Sequence, residues 1–174
     1  MKIKFGNIRD EVISNTISGV ILALIFVLVN DFFFNPPNLN GRWIFKSTYE
    51  DTNYSNFQNM EVYYSVSLQH INDEIIGFGE MIYENSNNGK IEYIGDNRSQ
   101  IEVSGHLKNN YFKKDTLVLS YTEDGHKRTS STFQNLIRFD DTYMSGNFDT
   151  TIADSKGSTE WWKNKSLRDI IGPK

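Results

Sequence analysis

Apolar residues follow two different patterns along this chain. From Val12 to Phe34, VISNTISGVILALIFVLVNDFFF, they run with little alternation, and the heart of the run is Ile17 to Val29. After Asn35-Pro36-Pro37-Asn38 they fall into strict alternation and stay there. The first pattern predicts a helix apolar on every side. At about 1.5 Å per residue it reaches about 34 Å, enough for a bilayer core of roughly 30 Å. Phe32 to Phe34 then fall where aromatic residues line the membrane interface. A buried helix of a soluble protein is the competing reading. A cleaved signal peptide fits less well, because the run begins late and no small-x-small cleavage site follows it. Asn15, Gly19 and Ala23 recur every fourth residue on one side of this helix. Small residues at that spacing allow close helix approach, with Asn donating across the seam, so self-association is expected.

The Pro-Pro pair ends the helix, since proline supplies no donor and restricts the residue before it. Beyond it, Trp43, Phe45, Ser47 and Tyr49 share one face of a strand over Arg42 to Tyr49. Met60, Val62, Tyr64, Val66 and Leu68 share one face of Met60 to His70. Further strands are expected over Ile75–Tyr83, Lys90–Gly95, Ser99–Leu107, Asp115–Tyr121, Arg128–Phe139, Thr142–Asp149 and Ser158–Lys163. Polar turns separate them, and Leu167 to Ile171 forms a terminal helical turn. Sequential strands with short connections and no helices between them predict an antiparallel meander. Closing about eight of them buries the apolar face and removes the edges. The expected fold is therefore all-β: an antiparallel up-and-down β-barrel of about eight strands, after an N-terminal transmembrane helix. The expected division is an anchor over residues 1–35 and a ligand-binding barrel over 36–174.

Charge narrows the function. The 174 residues carry a net charge of −4 and no cysteine. A mildly acidic barrel does not suit polymeric nucleic acid, which needs a basic face. Without cysteine there is no disulfide or thiolate chemistry. Three histidines, His70, His106 and His126, lie in separate segments, and no hydrolase or phosphate-loop motif is present. Neither catalysis nor a metal or cofactor is expected. Asp73-Glu74, Glu123-Asp124 and Asp140-Asp141 read as solvated turns. Lys2, Lys4 and Arg9 precede the apolar run, which leans toward a cytoplasmic N-terminus.

Gly41-Arg42-Trp43 at the first strand resembles the start of a lipocalin barrel, where the Trp packs at the closed end. The order of parts resembles a second family more fully: anchor, Pro break, Gly41-Arg42-Trp43, barrel, and Trp161-Trp162-Lys163 near the end. It is that of the membrane-anchored minimal β-barrel effectors, the two-transmembrane, β-strand-rich type, of bacterial CBASS-like anti-phage defence. The resemblance implies a cyclic dinucleotide or other cyclic oligonucleotide as ligand, made by a partner nucleotidyltransferase or cyclase. It also implies a homo-oligomer that disrupts the inner membrane when the ligand binds, or is held silent by it. This chain departs from the pattern in having one apolar span where two are usual. One span puts the termini on opposite sides, so a cytoplasmic barrel at the inner membrane requires the N-terminus outside, against the charge lean.

A cyclic dinucleotide needs aromatic faces for its bases and donors for two phosphates. Tyr49 and Tyr64 face inward and are expected at the open end, away from Trp43. The strand Arg128 to Phe139 has Phe133, Ile137 and Phe139 on one side and Arg128, Ser130, Thr132, Gln134 and Arg138 on the other. That polar side faces either solvent or the lumen. If it faces the lumen, Arg128, Thr132 and Arg138 join the ligand site, with Arg138 near Tyr49. Lys163, beside Trp161 and Trp162, is a further candidate. A tethered carrier of a small apolar ligand facing outside the cytoplasm is the alternative function, and a structural envelope protein a third.

Overall fold

A computed structural model describes residues 5–34, 37–108, 110, 113–124 and 129–172, and on the first helix the side chains of residues 12–27 and 29. The chain divides into two compact units, Met1–Pro37 and Asn38–Lys174. In the first, α1 spans Phe5–Phe34, 30 residues. It begins earlier than the apolar run and continues through Asn30 and Asp31, whose helix penalty is only about half a kcal/mol each. Every described side chain on α1 is exposed, including Leu22, Phe26 and Val27. Among the described residues, no helix is long and apolar enough to cross a membrane.

The second unit holds β1 (Gly41–Asp51), β2 (Glu61–Ile71), β3 (Glu74–Ser86), β4 (Gly89–Glu92), β5 (Gln100–Lys108), β6 (Thr116–Asp124), β7 (Thr129–Arg138), β8 (Tyr143–Thr150), β9 (Ser155–Lys163) and a short α2 (Leu167–Ile171). The strands follow the order β2-β1-β9-β8-β7-β6-β5-β3, and β3 pairs back with β2. This is a closed, antiparallel barrel of eight strands. β4 is an extra strand that folds back on the end of β3, pairing Ser86 with Gly89 and Tyr83 with Glu92. The stretch expected to be a wall strand at Lys90–Gly95 is therefore a short flap, and β3 and β5 meet directly.

Alternation fixes which side chains fill the barrel. Trp43, Phe45, Ser47 and Tyr49 of β1 point inward beside Val62, Tyr64, Val66 and Leu68 of β2. Phe45 sits opposite Trp161 on one side and Tyr64 on the other. The three rings stack: Trp161 on Phe45 at 4.2 Å between centroids, Phe45 on Tyr64 at 4.6 Å. Tyr121 tilts against both Phe45 and Tyr64. Trp43 closes the end where β1 begins, with its indole donating to the Leu39 carbonyl at 2.9 Å. Leu39, Leu68, Leu107 and Leu117 are buried with it in one core.

Tight curvature brings neighbouring strands close at a few glycines. A Cβ on Gly146 would collide with the Asn135 carbonyl of β7, and one on Gly157 with the Thr48 carbonyl of β1. Backbone occupies the place of a side chain there, so only glycine fits without moving a strand. Gly146→Ala should destabilise the barrel by about 2 kcal/mol or more, an overpacking cost. Urea unfolding of the full chain in detergent, followed by tryptophan fluorescence, measures it.

Candidate functional site

Two regions carry chemistry: the polar half of the barrel interior and a groove on its outer wall. In the interior, β7 turns its polar side inward. Ser130, Thr132, Gln134 and Leu136 are buried, while Phe133 and Ile137 are exposed on the outer wall and Phe139, just beyond the strand, is exposed too. Of the two orientations open from sequence, the lumenal one is found. The reason lies on the two strands beside it, β8 and β9. The Trp161 indole donates to Gln134 Oε1 at 3.0 Å, and the Thr132 hydroxyl to Thr150 Oγ1 at 2.8 Å. Buried polar groups persist where partners face them. Gln134 Nε2 and Thr159 Oγ1 are buried in the same interior with no hydrogen-bond partner among the described residues.

Tyr64 is buried mid-barrel rather than at an open end. Its hydroxyl donates to Glu123 Oε2 at 3.0 Å. Glu123 is not the solvated turn residue its Glu-Asp setting suggests, because β6 extends through it and Leu117, Leu119, Tyr121 and Glu123 share the inward face. That alternation was present in the sequence and would have identified it. Burial pushes the Glu123 carboxyl above its ordinary range, opposed by hydrogen bonds from Tyr64 and Ser99 and assisted by the Glu84 charge. Burial pushes the Tyr121 hydroxyl up to about 12. Tyr49 lies at the far end from Trp43 as expected. It is 2% exposed and packed edge-on against Phe148, with Phe57 tilted beside it.

The cations expected in the lumen are elsewhere. Arg138 lies at the level of Met144, Trp161 and Phe45, four residues along β1 from Tyr49, on the inward parity of β7 but at the strand's last residue, where it is only half-buried. Its guanidinium donates to Asp115 Oδ2 at 2.8 Å and Asp141 Oδ1 at 2.9 Å, stapling two connections together. Lys163 donates to the Asn38 carbonyl at 2.6 Å and lies over the Trp43 ring, capping that end. Arg128 lies outside the described residues. The expected cluster of Tyr49, Tyr64, Thr132, Arg138 and Lys163 is thus not one site. Asn15, Gly19 and Ala23 are all exposed on α1, and a Cβ on Gly19 would meet nothing within 4 Å.

The outer groove gathers Arg42, which strand alternation places on the solvent face, with cations from two connections. It has a volume of about 540 Å³ and lies between α2 and the wall. Ile44 and Ile82 of the wall, with Leu167 of α2, form its apolar lining. Around them stand Arg42, Arg98, Lys165, Glu92 and Asp169. Arg98 is committed to the Glu80 carboxylate and the Tyr93 carbonyl. Asp169 is held below the usual carboxylate range by the Ser166 backbone N–H and hydroxyl, which it accepts as the α2 cap. Among the described residues Arg42 donates from Nε to Ser65 Oγ at 3.2 Å, and the Lys165 charge also helps hold Asp169 low. The volume is in the range of small-molecule sites. An apolar lining flanked by an available guanidinium and ammonium suits an organic anion.

No protein-family model matches the chain, and no curated protein does. Among solved structures, the redesigned β-barrel mFAP1 bound to DFHBI is similar with a TM-score of 0.47 and 15% identity, covering 72% of this chain and 94% of that one. EF1p2_mFAP2b bound to DFHBI is similar with a TM-score of 0.47 and 11% identity, covering 73% and 94%.

Two variants test this account of the interior and its margin. Arg138→Ala should cost about 1–3 kcal/mol of stability, because it leaves the half-buried Asp115 without its partner. Chemical unfolding at neutral pH measures it. Glu123→Gln should stabilise the protein at neutral pH. Burial makes the folded state hold this proton to higher pH than the unfolded chain, whose carboxyl titrates near about 4.3. The group is therefore neutral to stability below that value and destabilising as pH rises through its folded value. The advantage of Glu123→Gln should appear across that window and vanish in more acidic solution, read as melting temperature against pH.

Proposed function

We propose that this chain is a membrane-tethered receptor whose barrel binds a cyclic oligonucleotide, a cyclic dinucleotide first among them, and controls the association of α1 in the inner membrane. The observation that carries the ligand half is the outer groove. Its apolar lining offers a surface for bases, and the Arg42 terminal nitrogens and the Lys165 ammonium, beside Glu92 and Asp169, are the groups that would meet phosphates. The observation behind the tether is α1, a 30-residue helix whose described side chains are all exposed and largely apolar. Such a surface is costly in water and at home in lipid or against other helices. The stripe of Asn15, Gly19 and Ala23 supplies a seam for assembly. The architecture resembles that of the anti-phage barrel effectors, which supports a place in that kind of defence beside a nucleotide-producing enzyme. The ring stack of Trp161, Phe45 and Tyr64 through the middle of the barrel weighs against the carrier alternative, which needs an apolar lumen.

A thermal-shift screen of the full chain in detergent, against cyclic di- and trinucleotides, tests this reading. A ligand at about a hundredfold excess over its Kd should raise the melting temperature by about 5–10 °C. Arg42→Ala and Lys165→Ala should each remove most of that shift while leaving the unliganded melting temperature near wild type. A shift that survives both substitutions moves the ligand out of the groove. No shift with any cyclic nucleotide sinks the ligand class.

A further inference from the structure

Tyr93, one residue past β4, is held from three sides. Its N–H donates to the Ile82 carbonyl at 3.0 Å, its carbonyl accepts from Arg98 Nε at 2.8 Å, and its hydroxyl donates to Glu84 Oε2 at 3.0 Å. Ile82, Glu92 and Arg98 all line the outer groove, so Tyr93 sets one of its sides. The flap it follows is weakly held, four exposed residues paired to β3 alone. The Glu84 carboxylate has a second neighbour. It lies level with the inward-facing Val62 of β2, and its charge acts on Glu123 of β6. The Glu123 charge in turn acts on the Tyr93 hydroxyl. Tyr64 of β2, Tyr121 of β6, Ser99 ahead of β5 and Ser130 of β7 complete the surroundings of Glu123, while Asp124 is exposed on the outer side. Among the described residues no cation pairs with Glu84 or Glu123, and Arg98 is paired to Glu80 instead. Two carboxylates around one phenol tolerate one charge better than two. Burial, with the Glu84 charge behind it, keeps Glu123 protonated above its ordinary 4.5, against the hydrogen bonds from Tyr64 and Ser99.

We propose that Glu84, Tyr93 and Glu123 form a proton-controlled catch that couples the barrel interior to the outer groove. It regulates the site assigned above and rests on that reading of the groove. With Glu123 protonated, Glu84 holds Tyr93, β4 stays paired to β3 and the groove wall is in place. When Glu123 loses its proton, the two carboxylates repel in surroundings of low polarity. The barrel does not yield, because each of its eight strands is paired on both sides, whereas β4 is paired on one. The Glu84 side chain therefore swings outward and releases Tyr93, and Glu92 and Arg98 lose their fixed places. A groove formed in advance binds more tightly than one that must be ordered first. Ligand affinity should fall as pH rises through the Glu123 titration.

The chain has no cysteine, so a single introduced cysteine reports its own position. The full chain in detergent is spin-labelled at Lys90→Cys on β4, or at Asn147→Cys on the outer face of β8 as a control. Both are titrated from about pH 4 to 9, a range that spans the ordinary and raised carboxyl values. The label at position 90 should pass from ordered to mobile in one step above 4.5, while the label at 147 stays constant. Glu123→Gln and Glu84→Gln each keep an acceptor oxygen and remove one charge, and either should leave the label at 90 ordered throughout. Tyr93→Phe should leave it mobile throughout, with circular dichroism of the barrel unchanged. A label at 90 that ignores pH in the wild-type background overturns the proposal, as does a step that persists in either glutamine variant. These measurements use no ligand, so they decide the catch separately from the ligand class. For a cyclic dinucleotide that binds, the wild-type Kd should rise about tenfold across the step and stay level in Glu123→Gln. A Kd level in both, while the label moves, overturns the coupling to the groove.

Discussion

The barrel depends on a stack of three rings whose two outer members carry polar tips. Trp161, Phe45 and Tyr64 come from adjacent strands, β9, β1 and β2, so their stacking by itself organises only one wall. The indole N–H and the phenol hydroxyl reach past their neighbouring strands, to Gln134 of β7 and Glu123 of β6. Two buried hydrogen bonds thereby tie strands that do not pair, in an interior where low polarity strengthens each of them. The polar inward side of β7 and the buried carboxyl of β6 both follow. An apolar residue at position 134 or 123 would leave an aromatic donor unsatisfied, and such groups are expensive to bury.

The described interior is committed to holding the barrel closed. The outer wall carries most of the charged side chains. There, Lys46 bridges to Glu160 at 2.9 Å, and Tyr143 and Tyr63 donate to Glu160 and Glu61, a polar belt that needs no burial to persist. Beside it, α2 lies with Leu167, Ile170 and Ile171 against Ile44, Tyr63, Ile82 and Tyr83, creating the groove as a by-product of covering an apolar patch. A ligand held there meets both the wall and the C-terminal segment.

Strand alternation made most of the fold legible in the sequence. The inward faces of β1, β2 and β6 were readable at Trp43, Tyr64 and Leu119, as was the closing meander. The candidate site was far less legible. Alternation assigns a residue to a face, but it does not say how far along the barrel axis a strand is offset from its neighbours. That offset puts Arg138 level with Phe45 instead of Tyr49, and Tyr64 in the middle of the stack. Nor does it say which face of a mixed strand turns in, which for β7 was decided by partners far away in sequence. Glu123 was misread because a Glu-Asp pair looks like a turn when the strand is assumed to stop at Tyr121. The groove was invisible, since it forms where a five-residue helix meets the outside of three strands.

Closure of the sheet has a consequence for crowding. Eight strands paired in a ring offer no open edge, and the single flap β4 is only four residues long, with Lys90 and Glu92 along it. At high local concentration a long exposed strand would recruit its neighbours into a continuous sheet. A ring with one short charged flap can be packed side by side without that hazard. Any ordered assembly of such copies would have to rest on contacts other than a continuous backbone ladder.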